Sequence, residues 1–193
     1  SADRVVTNFN GNVRVSATPG VASTNLFSDG FDDGDYAGWE LNGDSGTWSV
    51  VTNTAAVGRN SLTQVGGRRG HRDGLWHALP NLQPDLVRFY VRTLRNDAIG
   101  GFVTMGTGTN LDDIAVYFNM TLDGMGVVED VHGGHRVPFQ AGRWYQIELR
   151  FSWADRTVDF SVDGVLQRRG IPFRRPSVAS LVGSLGLLRL RAP

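Results

Sequence analysis

Asp29-Gly-Phe-Asp32-Asp33-Gly-Asp35 packs four carboxylates into seven residues. Unneutralised, they repel, and a calcium ion with its preference for hard oxygen ligands is the natural remedy. Asp29, Asp32, Asp33 and Asp35 are therefore candidate ligands of a structural calcium, although the spacing is not that of an EF-hand. The simpler reading is a solvated acidic turn in which one aspartate caps a backbone group.

Three further motifs could carry chemistry. His132-Gly-Gly-His135 with Asp130 has the spacing of some metal sites. It lacks the helical context and a third-ligand pattern, and two glycines suit a hairpin tip. Gly43-Asp-Ser45-Gly46 copies part of a serine-protease nucleophile loop. All four histidines follow Ser45, however, which is the wrong order for that chemistry, so a turn into Trp48 is the better reading. Arginines cluster as Arg68–Arg69 with His71 and Arg72, as Arg168–Arg169 and as Arg174–Arg175. Guanidinium forks match carboxylate and sulfate, so an acidic polysaccharide is a conceivable ligand. Net charge is zero, which favours arginine acting simply as the solubilising residue.

The elements that must position these residues have a period of two. Val87, Phe89 and Val91 alternate with Arg88, Tyr90 and Arg92. Ile114, Val116, Phe118 and Met120 alternate with Ala115, Tyr117 and Asn119. Tyr145, Ile147, Leu149 and Phe151 alternate with Gln146, Glu148 and Arg150, and Val158, Phe160 and Val162 with Thr157, Asp159 and Ser161. One apolar and one polar face per strand is the mark of antiparallel sheets with a wet outer side. Turn signals at Asp123–Gly124, Gly133–Gly134, Ala154–Asp155 and Asp163–Gly164 separate the runs. The prediction is an all-β sandwich or barrel. If the strands adjoin, Arg88, Tyr90, Arg92, Tyr117, Asn119, Trp144, Gln146 and Arg150 form one shallow platform. Its rings suit sugar faces and its planar groups suit hydroxyls. The plainer reading is ordinary cross-strand pairing.

Composition agrees. The chain has 193 residues, and all 19 basic residues are arginine, with only Glu40, Glu129 and Glu148 as glutamates. With 25 glycines it lacks the material for long helices. Size scaling buries roughly 70% of the unfolded surface, enough for a core without staples. Without cysteine there is no thiolate site or disulfide scaffold. A pI near 6.9 argues against nucleic acid as partner, and no apolar run is long enough to insert into a membrane. The first twenty residues show no signal peptide, as a mature secreted chain also would.

Three segments carry a resemblance. Leu26-Phe-Ser-Asp-Gly-Phe-Asp-Asp-Gly-Asp-Tyr-Ala-Gly-Trp39 with Gly46-Thr-Trp48-Ser-Val50 resembles the opening of concanavalin A-like jelly rolls. Ala141-Gly-Arg-Trp-Tyr-Gln-Ile-Glu-Leu149 with Thr157-Val-Asp-Phe-Ser-Val-Asp-Gly164 resembles their laminin-G-like hairpin. Ser184-Leu-Gly-Leu-Leu-Arg-Leu190 is similar to their penultimate strand. The resemblance implies an antiparallel two-sheet jelly-roll β-sandwich over about residues 26–191, and often a structural calcium near the first and last strands. It does not imply one function. The superfamily's glycosidases place two carboxylates on one strand as Glu-x-Asp-x-x-Glu. Here Glu148 stands alone and Glu129–Asp130 point to opposite faces.

The expected reading is a non-catalytic module, extracellular or at the cell surface and bacterial, that binds glycan. The alternative is a structural subunit assembling head-to-tail with itself; a glycoside hydrolase stands third. The ends of the chain suggest the alternative. Such jelly rolls close with a strand after the penultimate one, and here the chain stops at Arg191-Ala-Pro193. A matching segment, Phe9-Asn-Gly-Asn-Val-Arg-Val-Ser16, lies at the other end, with Phe9, Val13, Val15 and Ala17 as its assembling residues. Residues 1–18 are thus expected to supply the missing strand, in cis or to a neighbour in trans. Residues 19–25 would be a linker and 26–193 the jelly roll. Otherwise Asn10–Gly11 turns a local hairpin. Asn119-Met-Thr121 is a formal glycosylation sequon, expected to be silent.

Overall fold

The computed structural model describes residues 6–16, 25–43, 46–65, 74–78, 83–97, 100–108, 110–121, 123–130, 132–178 and 184–189. The strands in chain order are β1 (Val6–Ser16), β2 (Asn25–Phe27), β3 (Glu40–Asn42), β4 (Thr47–Val51), β5 (Ser61–Val65), β6 (Gly74–His77), β7 (Leu86–Thr93) and β8 (Gly101–Gly106). They continue as β9 (Ile114–Met120), β10 (Met125–Glu129), β11 (His135–Pro138), β12 (Tyr145–Ser152), β13 (Thr157–Val162), β14 (Val165–Pro172) and β15 (Ser184–Arg189). A single 3-10 turn, Leu111–Asp113, is the helical element among the described residues.

The strands make two antiparallel sheets. The first runs β14-β13-β12-β7-β1-β5-β4, with β2 paired to β1; the second runs β11-β10-β9-β8-β15-β6-β3. The alternation in the sequence explains how they pack. Val87, Phe89 and Val91 on β7 and Ile147 and Leu149 on β12 are buried against Val103, Phe118 and Val128 of the second sheet. Phe89 and Phe118 meet edge-to-face across the gap, with ring centroids 5.5 Å apart. The protein is an all-β, two-sheet antiparallel sandwich of the jelly-roll class.

β1 lies inside the first sheet. It pairs with β5 on one side (Phe9 opposite Leu62) and with β7 on the other (Phe9 opposite Val91, Val15 opposite Val87). Asn10–Gly11 does not turn a hairpin. Asn10 faces Tyr90 and Arg14 faces Arg88, so residues 11–13 bulge opposite the single residue Phe89. Two extra residues preserve the side-to-side alternation, and Phe9 and Val15 keep equivalent register positions. Ala17 and most of the expected linker, 19–24, lie outside the described residues.

One expectation is corrected at β9. Ala115 belongs to the main core and Ile114 does not, so the expected alternation breaks at the start of the strand, and all seven residues of β9 are buried. Tyr117 packs with Trp76, Ile114 and Leu111, and the Arg174 N–H bonds to the Ala115 carbonyl. The second sheet is therefore covered on both sides at β9.

Candidate functional site

On the outer face of the first sheet, the polar residues of β7 and β12 are tied across the strands. Register sets Arg88 opposite Glu148 and Tyr90 opposite Gln146. Arg88 Nε donates to Glu148 Oε1 at 2.5 Å, and Gln146 Nε2 donates to the Tyr90 hydroxyl at 2.6 Å. Arg92 donates to the Thr54 hydroxyl. Arg150 is exposed at the end of the row, opposite Asp159 on β13. Asn8, Asn10 and Arg14 of β1 stand in register with Arg92, Tyr90 and Arg88. Trp144 is half-buried just ahead of β12, where Arg143 sits 4.7 Å over the Tyr145 ring. These bonds hold the planar groups of Tyr90, Gln146 and Arg88 in place on the sheet face.

The platform of eight does not form as one surface. Tyr117 and Asn119 belong to the second sheet, and both are buried. Asn119 Nδ2 donates to Glu129 Oε1 at 2.9 Å, and Arg174 lies 3.7 Å from the same carboxylate. Burial raises the Glu129 carboxyl above its usual range, against the pull of Arg174 and the Asn119 bond. Asn119 is 3% exposed, so the sequon is closed to modification in the folded chain.

Nor do the four aspartates converge. Asp29 accepts from the Phe31 N–H at 2.8 Å and from Trp39 Nε1 at 2.6 Å. Asp32 Oδ1 takes the N–H groups of Arg59 and Asn60 at 2.7 and 3.1 Å. Asp33 and Asp35 each accept an N–H two residues on, from Asp35 and Ala37. Among the described residues no three acidic or histidine side chains are grouped to hold a metal, and each of the four aspartates is bonded to N–H groups instead. Asp33 and Asp35 close local turns, as short aspartates commonly do, whereas Asp32 is drawn to the distant N–H groups of Arg59 and Asn60. EDTA should therefore leave the melting temperature unchanged, whereas Asp32→Ala should lower it by about 2–8 °C, the effect of about 1–2 kcal/mol in a chain of this size. Thermal melts with and without chelator check this; an EDTA effect that vanishes in Asp32→Ala would restore the metal.

The remaining motifs separate in the same way. His132 is exposed while His135 lies at the start of β11, and Asp130 closes the turn between them through the His132 and Gly134 N–H groups. Arg174 is engaged by Glu129, and Arg175 by Asp112 at 2.6 Å. Ser45, Arg68, Arg69, His71 and Arg72 lie outside the described residues. Sequence reasoning missed the Asn119–Glu129–Arg174 set, whose members are far apart in the chain.

No protein-family model and no curated protein matches the chain. Among solved structures, a sialidase is similar with a TM-score of 0.43 and 13% identity, over 75% of this chain and 19% of that one. Another similar structure is domain 4 of AbnA, a GH43 extracellular arabinanase from Geobacillus stearothermophilus, in complex with arabinotriose. Its TM-score is 0.45 at 13% identity, over 94% of this chain and 92% of that one. The chain thus spans about a fifth of the sialidase's length.

Proposed function

We propose that this protein is a non-catalytic carbohydrate-binding module of the concanavalin A-like superfamily, working outside the cell or at its surface. The observation that carries the reading is the Tyr90–Gln146 and Arg88–Glu148 array on the outer face of β7 and β12. An aromatic ring flanked by an amide, a guanidinium and a carboxylate, each already oriented by a neighbour, presents donors and acceptors to sugar hydroxyls with little ordering cost. The same bonds argue against hydrolysis. Glu148 is the one carboxylate on β7 and β12 and its Oε1 is taken by Arg88, so these two strands lack the second carboxylate that an acid and a nucleophile require. Self-assembly by strand donation is the weaker reading, because β1 pairs within its own sheet and leaves no vacant position between β5 and β7.

A glycan array followed by titration tests the proposal. A neutral oligosaccharide should bind without being cleaved, and Tyr90→Ala should weaken it at least about tenfold, a loss of about 1.4 kcal/mol. Binding that Tyr90→Ala and Gln146→Ala leave untouched would sink it.

A further inference from the structure

The edge strands of the two sheets, β11 and β14, meet at one end of the sandwich. Between them lies a cleft of about 260 Å³, lined by Asp130, Gly134 and His135 on one side and by Arg168 and Gly170 on the other. None of these residues belongs to the β7–β12 face.

Each lining group has a structural cause for its position. Asp130 Oδ1 holds the turn by accepting from the His132 and Gly134 N–H groups at 2.6 and 3.0 Å, which leaves Oδ2 to the cleft. Gly134 has φ +90°, and a Cβ there would lie 2.5 Å from the Val128 carbonyl oxygen, so the turn requires glycine. Gly170, at φ +63°, bonds through its N–H to Asp159 at 2.8 Å, and a Cβ there would meet only open space. The His135 ring sits edge-on to Phe160 with centroids 6.2 Å apart. Burial, with the charge of Arg168, pushes the His135 imidazolium below its ordinary range. A neutral imidazole offers one nitrogen to donate and one to accept. Arg168 is exposed, and no described acid pairs with it, in contrast to Arg88, Arg136, Arg143 and Arg175.

We propose that this cleft binds the carboxylate of one acidic sugar residue. The Arg168 fork matches a carboxylate in two parallel bonds. Asp130 Oδ2 and the His135 ring then accept from and donate to the hydroxyls of the same ring. Asp130 also sets the class of anion: its negative charge opposes a phosphate or sulfate dianion, while a monoanion with hydroxyls satisfies both walls. The volume lies below the roughly 300–1,000 Å³ of sites for drug-sized ligands, which suits a single ring.

Titration with glucuronate and galacturonate, followed by the His135 ring signals, provides the test; glucose, galactose, acetate and inorganic phosphate are the comparison ligands. The uronates should bind at least about tenfold more tightly than their neutral parents, the scale of one charge-assisted bond. Arg168→Ala should remove that preference, Asp130→Asn should weaken binding several-fold while keeping the turn, and Arg169→Ala should change nothing. Equal binding of neutral sugars, equal effects of Arg168→Ala and Arg169→Ala, or tighter binding of phosphate or acetate than of uronate would each overturn the assignment. Tyr90→Ala should leave uronate binding intact, so the cleft and the sheet face stand or fall separately.

Discussion

A chain lacking residues 1–16 should fail to fold as a stable monomer. β1 supplies the pairing between β5 and β7, with Val6–Phe9 against Val65–Leu62 and with Thr7–Asn10 and Arg14–Ser16 against β7. Its removal opens a gap of about two strand spacings, roughly 9.5 Å, in the middle of the first sheet. Two unpaired edges then face one another, and such edges recruit other chains. β5 and β7 cannot simply close up, because each is also fastened on its far side, to β4 and β12. The expected result is loss of the cooperative melt, or a fall in melting temperature of more than about 15 °C, with aggregation. Synthetic peptide 1–20 should restore the melt. If the truncated chain is monomeric and melts as the full chain does, β1 is dispensable and its place in the sheet carries no stability.

Phe160→Ala should be the most damaging single substitution described here. Phe160 is fully buried on β13, and its ring stands 6.2 Å from both Phe118 of the second sheet and His135 of the edge cleft. Truncation removes the transfer free energy of the ring and leaves a cavity that a close-packed sandwich fills only in part. A loss of about 3–5 kcal/mol is expected, which for a chain of this size lowers the melting temperature by roughly 6–20 °C. Denaturant unfolding measures it. Phe160→Leu, which retains most of the volume, should cost less than half as much. A Phe160→Ala chain within about 1 kcal/mol of the wild type would show that the two sheets do not depend on this contact.

The inward residues were legible in the sequence because alternation is a local property of an extended chain. Val87, Phe89, Val91, Ile147, Leu149, Val158 and Phe160 are apolar at every second position, and all are buried. The outward residues were legible only as a set, not as a place. Arg88, Tyr90, Arg92, Gln146 and Arg150 share a face because β7 pairs with β12. Tyr117 and Asn119 have the same pattern but sit across the sandwich, since alternation assigns a side of a strand and does not choose the sheet. The bonding of the acidic segment was not legible for a related reason. Carboxylate spacing along the chain says nothing about the backbone N–H groups of Arg59 and Asn60, which reach Asp32 from 27 and 28 residues away.

The sequence by itself determined the class of structure: short two-faced strands, glycine-rich turns and too few helix formers leave an antiparallel sandwich or barrel as the stable way to bury one face of each strand. It left two readings of Asn10–Gly11 open, a local hairpin turn or part of one inserted strand. Only the tertiary structure decided for the inserted strand, with its bulge, because β5 and β7 offer β1 two partners while a hairpin offers one. The tertiary structure alone likewise buried both sides of β9 and set His135 of β11 beside Arg168 of β14. Pairing between distant segments is settled by the sum of contacts over the whole sandwich, and no window of the chain contains that sum.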